Sequence, residues 1–269
     1  MSTSARRAHE RGGSPYDAPG EAGDELSTVF PSVAPSAASA RRFVAAALGR
    51  WGCPEGFREL VLLLTSELVT NAYRHARSDT RVSVRYDRRT ARVEVRDVGP
   101  GEPRLRPLDA DRVDGRGLQI VDALADRWGY RSNDAGTTVW FELARPEQAL
   151  GSLGAMVSAG SDVPAADGFR VSVHDEAGHP RVVVEGEVDV ATAPALRDEL
   201  YRLIEQGSSR IVVDLAGMDF IDSTGLGVFV GALKRAREGG GTIELRGLQP
   251  SARKVFDITG LSSAFTIAG

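Results

Sequence analysis

Glu67 and Asn71 stand four residues apart in the run SELVTNAYRHA, a spacing that sets a carboxylate and an amide on one face of a helix. Such a pair can orient a water or an incoming hydroxyl and offer oxygen ligands to a hard divalent cation such as Mg2+. Asp97-Val98-Gly99-Pro100-Gly101 closes a strand-like run. A carboxylate there can accept the amino hydrogen of a base, and the glycines let the backbone turn tightly beside a ligand. Gly115-Arg116-Gly117-Leu118 directly precedes a helical pattern, where exposed N–H groups can meet phosphates. Much later, Asp222-Ser223-Thr224-Gly225-Leu226 puts hydroxyls at the start of another helix, so Ser223 or Thr224 is expected at its N-cap. A phosphate at that point would gain from the helix N-terminus and be repelled by Asp222, a conflict suited to a switch. Taken singly, a polar helix rim, a glycine turn and a capped helix are commonplace.

The elements that must carry these residues follow from periodicity. Helices are expected at Ser36–Arg50 and Glu55–Ala76, the second with Leu60, Leu64, Leu68 and Ala72 at four-residue spacing. Arg81–Asp87 and Ala91–Asp97 alternate with period two and read as a hairpin, Leu118–Ala125 as a helix and Thr137–Leu143 as a closing strand. Helices before and between antiparallel strands indicate a two-layer α/β sandwich. Further on, strands at Phe169–His174, Arg181–Val184, Ile211–Leu215, Thr242–Leu245 and Phe265–Ile267 alternate with helices at Ala193–Ile204, from Thr224, and at Ala252–Phe256. That order argues for helices packed on a mixed sheet. Residues 1–25 and 148–167 are poor in apolar period and rich in Ser, Ala, Gly and Pro. They read as a disordered tail and a linker, leaving domains at 26–147 and 168–269. The fold class is α/β, in two domains.

Composition narrows the chemistry. Of 269 residues, 33 are Lys or Arg and 37 Asp or Glu, a net charge of −4, which argues against a dedicated nucleic-acid binder. Lys234 and Lys254 are the only lysines, so a P-loop in the first half is excluded. Arginine is abundant throughout and by its abundance marks no site. Cys53 is the single cysteine, so no intramolecular disulfide or thiolate cluster can form, and the residue is expected to be a small buried one near a helix start. No apolar run is long enough for a membrane span or a signal peptide, so a cytoplasmic protein is expected.

In order and in setting, SELVTNAYRHA, Asp97-Val98-Gly99-Pro100-Gly101 and Gly115-Arg116-Gly117-Leu118 resemble the N box and two glycine boxes of the GHKL ATPases, specifically the anti-sigma-factor serine kinases. The resemblance implies a site for ATP and Mg2+. Glu67 would be the general base toward the acceptor serine, Asn71 the Mg2+ ligand and Asp97 the reader of adenine. Gly99, Gly101, Gly115 and Gly117 would shape the pocket and lid, and Thr137 would complete the adenine site. His75 belongs to the same consensus and reads as a structural or rim residue. No phosphoacceptor-histidine helix precedes the N box, which disfavours a two-component kinase.

GEVDVATAPALRDEL (Gly186–Leu200) together with DSTGL resembles the STAS domain of anti-sigma-factor antagonists. That resemblance implies Ser223 as phosphoacceptor, with Thr224 as runner-up, and Asp189 and Asp222 on a partner surface. The combination implies a bifunctional partner-switching regulator whose partners are a sigma factor, anti-sigma and antagonist proteins. Neither direct nucleic-acid binding nor membrane contact is expected, and a homodimer is compatible with the sequence. Two alternatives stay open at this point: a non-catalytic ATP-binding scaffold, and a kinase acting only on a separate antagonist with its own STAS domain for docking.

Overall fold

The computed structural model describes residues 25–99, 103, 117–145, 168–176 and 178–268. The expected linker, the tail up to residue 24, Gly101 and Gly115 lie outside the described residues. Two compact units are present.

The first unit runs β1 (Glu25–Phe30), α1 (Ser36–Arg50), α2 (Glu55–His75), β2 (Thr80–Tyr86), β3 (Thr90–Asp97), α3 (Gly117–Leu124), β4 (Arg127–Asn133) and β5 (Gly136–Ala144). Its five strands form one antiparallel sheet in the order β1-β2-β3-β5-β4. Period-two alternation sends Val82, Val84, Val93, Val95, Phe141 and Leu143 to the face that the helices cover, where all are buried. The buried side of α2 includes Val61, Leu64, Leu68 and Ala72. Leu60, expected in that stripe, is only half-buried, because the helix is rotated so that Val61 takes the innermost place.

β1 and β4, which periodicity does not announce, are both edge strands. β1 has no fully buried residue, and β4 carries Gly129 and a polar second half. An edge strand rests on pairing with its neighbour more than on its own apolar period, so its signal is faint. Cys53 is buried as expected, and burial pushes its thiol up to about 11.

The second unit runs β6 (Arg170–Glu176), β7 (His179–Val188), α4 (Ala193–Glu205), β8 (Arg210–Ile221), α5 (Ser223–Glu238), β9 (Thr242–Arg246) and α6 (Pro250–Ile258). A short 3-10 turn at Leu261–Ser263 and β10 (Thr266–Ala268) complete it. The sheet order is β10-β9-β8-β7-β6, with β6 antiparallel to β7 and the other pairs parallel. This is the expected mixed sheet. β7 and β8 extend well past Val184 and Leu215, because their pairing continues through register shifts after Val183 and Gly186. Such irregularities break strict alternation and hide strand from a period-two reading. Among the described residues, no helix is long and apolar enough to cross a membrane.

Candidate functional sites

In the first unit the three motifs gather around α2. Glu67 is 1% exposed although it is a carboxylate, a placement that costs free energy unless the group is held by polar partners or put to use. Gly117, the first residue of α3, lies directly against it. A Cβ built on Gly117 would stand 2.6 Å from Glu67 Oε2 and 3.3 Å from Asn71 Nδ2, so a larger residue here would have to displace the Glu67 carboxylate. The first and third motifs, 46 residues apart from Asn71 to Gly117 in the chain, are thus one place in space.

Asn71 Nδ2 is buried and has no hydrogen-bond partner among the described residues. An orphaned amide beside a buried carboxylate, under a backbone that leaves no room for a side chain, is a polar cradle. Its donor set of carboxylate and amide oxygens suits a hard cation with phosphate oxygens attached. Among the described residues no group of three or more His, Cys, Asp or Glu could hold a metal alone. A Mg2+ ion here would therefore take most of its ligands from water and phosphate, as that ion ordinarily does.

The second motif reaches the far end of the same helix. Gly99 packs so tightly on Ala76, the residue after α2, that any Cβ would collide with its Cα and Cβ. Asp97, the last residue of β3, is 9% exposed, and its Oδ1 accepts the Gly99 N–H at 2.9 Å. Burial raises its pKa above the usual carboxylate value, and the Gly99 N–H offsets part of that rise. Thr137 is its register partner across the β3–β5 ladder and is itself buried. The Thr137 hydroxyl is 3.0 Å from that of Ser132 on β4. The sequence reading missed Ser132 because it missed β4. It also missed Ser78, whose hydroxyl accepts the Val98 N–H at 3.2 Å and pins the turn after Asp97.

The second unit builds its candidate site at the ends of two neighbouring parallel strands. Val188 and Ile221 are register partners, so Asp189 and Asp222 leave the sheet side by side. Asp222 Oδ1 accepts the N–H of Thr224 at 2.8 Å and of Gly225 at 3.2 Å. Asp222, not Ser223 or Thr224, is therefore the N-cap of α5, and Ser223 is its first helical residue. The acid wins the position because an ionised oxygen accepts two amides more strongly than a hydroxyl does. Asp189 Oδ1 accepts the Ala191 N–H at 2.8 Å. Both carboxylates are buried, at 1% and 0% exposure; they shape their loops from within, and the loops supply the outward surface. Ser223 is 7% exposed, while Thr224 is half-buried.

A family model described as histidine kinase-like ATPase domain matches residues 30–143, and the STAS domain model matches residues 171–268. An anti-sigma-B factor antagonist from Bacillus subtilis (strain 168) is 40% identical over 100 residues, covering 37% of this chain and 91% of the relative. Its counterpart from Listeria monocytogenes serovar 1/2a is 42% identical over 91 residues, covering 33% of this chain and 78% of the relative. The crystal structure of an anti-sigma factor antagonist from Mycobacterium paratuberculosis is 28% identical, with a TM-score of 0.36, covering 38% of this chain and 87% of that one. The chain belongs to the STAS family through its second unit, and its first unit is a histidine kinase-like ATPase domain.

Proposed function

We propose that the chain is a partner-switching regulator of sigma-factor activity, in which the first unit is an ATP-dependent protein serine kinase and anti-sigma module. The second unit is a phosphorylatable antagonist. The observation that carries this reading is the packing of Gly117 against Glu67 and Asn71, which unites two of the three nucleotide motifs in one polar cradle. The names of the antagonist relatives support the regulatory half of the reading.

In this reading Asp97 receives the adenine amino group, with Thr137 beside it, and Asn71 Oδ1 would hold Mg2+. Bound Mg2+ would supply neutralisation of the charge on the transferring phosphoryl group. Glu67 takes the hydroxyl proton as the acceptor oxygen bonds the γ-phosphorus of ATP. The bond from that phosphorus to the β,γ-bridging oxygen breaks, and the products are ADP and a phosphoserine. Ser223 is the proposed acceptor, with Thr224 as runner-up. The added charge of about −1.5 to −2 would stand beside Asp222 and the Asp189 loop, altering the surface offered to a partner.

The test is incubation of the full chain with Mg-ATP and mass mapping of the product, alone and in a mixture of Ser223→Ala and Glu67→Gln chains. Phosphate on residue 223 is expected, absent in Ser223→Ala, with the rate about 10²- to 10⁴-fold lower in Glu67→Gln. Label on Thr224 moves the acceptor by one residue. Absence of label on the wild-type chain alone, and on the Glu67→Gln chain in the mixture, ends the proposal of self-phosphorylation.

A further inference from the structure

The face of the first unit's sheet that the helices leave uncovered carries two unlike regions. Toward β4 and β5 its charges are closed on one another. Arg92 donates to Glu142 at 2.6 Å and lies 2.7 Å from Glu94, with its guanidinium 4.2 Å from the centre of the Trp140 ring. Arg127 and Arg131 reach Glu142 and Glu94 at 3.4 Å and 3.9 Å. Toward the β1 edge the pattern opens. Arg81 and Arg96 are register partners across β2–β3, and Arg85 lies four residues from Arg81 on the same face, opposite Glu25 on β1. None of the three has an ion pair among the described residues, and Arg81 and Arg96 are exposed. Val29, 47% exposed, is the register partner of Arg81 on β1.

Like charges directly opposite one another across a ladder destabilise a sheet, and opposite charges there stabilise it. In the second unit the sheet arginines are paired with acids, mostly on the diagonal and in one case directly opposite. On the uncovered face of the second unit's sheet, Arg181 pairs with Asp214, Arg210 with Glu244, Arg246 with Glu176 and Glu244, and Arg170 with Glu185. The opposed pair Arg81 and Arg96 departs from this pattern, at a place where an anion seated between the strands would remove the repulsion.

We propose that this corner docks a carboxylate-rich segment of a separate protein. The guanidinium fork matches carboxylate geometry, and the exposed Val29 beside it offers the apolar contact that a protein segment, and not a phosphate chain, brings. Self-association through this corner would oppose one set of unpaired arginines to another.

The probe is a fluorescein-labelled oligoglutamate peptide, titrated by anisotropy with the full chain at low salt and at about 0.15 M ionic strength. Wild type is expected to bind with a salt-sensitive affinity. Arg81→Gln/Arg85→Gln/Arg96→Gln should weaken binding by about tenfold or more, and exposed Arg96→Gln alone by about threefold. Arg170→Gln, in the second unit, should leave binding unchanged. Thermal melts check the fold of the triple variant, and if it does not fold the Arg96→Gln result decides. The proposal is overturned if wild type does not bind, or if the decisive variant binds as tightly as wild type. It is also overturned if a single-stranded DNA oligonucleotide outcompetes the peptide at the same arginines, or if sedimentation shows that they hold a dimer.

Discussion

The two units surround their buried acid groups differently. In the second, Asp222 and Asp189 each spend an oxygen on backbone amides of the loop that follows. In the first, Glu67 is equally buried, Asn71 Nδ2 beside it is left without a partner among the described residues, and a glycine backbone closes on both. A buried polar group without its hydrogen bond costs about 1–3 kcal/mol. A fold keeps such a group where something else will satisfy it. In the proposed reading the first unit leaves this group for a ligand, whereas the second spends its acids on holding its own loops.

The largest break in that contrast should come at Gly117. Gly117→Val forces a branched side chain into the space of Glu67 Oε2, and overpacking of about 1–3 kcal/mol corresponds to a loss of about 5- to 150-fold in nucleotide affinity. Titration of the full chain with a fluorescent ATP analogue reads it. A variant that binds as tightly as wild type would show that the cradle is not the nucleotide site.

A smaller effect is expected in the second unit, where Asp222→Ala removes the α5 cap and should cost about 1–2 kcal/mol. Ser223→Ala leaves the cap intact and should cost distinctly less. Urea unfolding of each variant compares them, and equal losses would mean that the hydroxyl shares the capping after all.

The smallest effect sharpens the comparison from the first unit. Asp97 has a folded pKa raised by burial. Its ionised form therefore subtracts stability above that pKa, and the loss is recovered as pH falls through the folded value toward the unfolded one. Asp97→Asn keeps the acceptor for Gly99 and removes the charge. It should raise Tm at pH 7 by a few degrees, on the order of 1 kcal/mol or less, while weakening ATP binding. The gain should vanish as the pH falls below the folded pKa. A Tm that falls on substitution, or a gain that persists in acid, would contradict this account.

Much of this was legible in residue order. The helix Ser36–Arg50 is present with the expected bounds, and α2 ends one residue earlier than expected. Asp97 and Thr137 were named separately, and the β3–β5 ladder makes them partners. What sequence could not supply is contact at long separation: that Gly117 abuts Glu67, or that Ser132 meets Thr137 from a strand with a weak apolar period. The capping error at Ser223 has a local cause. Asp, Ser and Thr are all good caps, and three consecutive candidates cannot be ranked without the backbone turn that puts Asp222 outside the helix in an extended conformation.

That assignment has a consequence for how such a domain can change over generations. Because an aspartate anchors the start of α5, the proposed phosphoacceptor beside it does not have to cap the helix. A lineage can exchange Ser223 for threonine, or fix it as alanine, by one codon and keep the folded unit. If Ser223 is the acceptor, regulation through it can be gained, retuned or abandoned while the α5 cap stays in place.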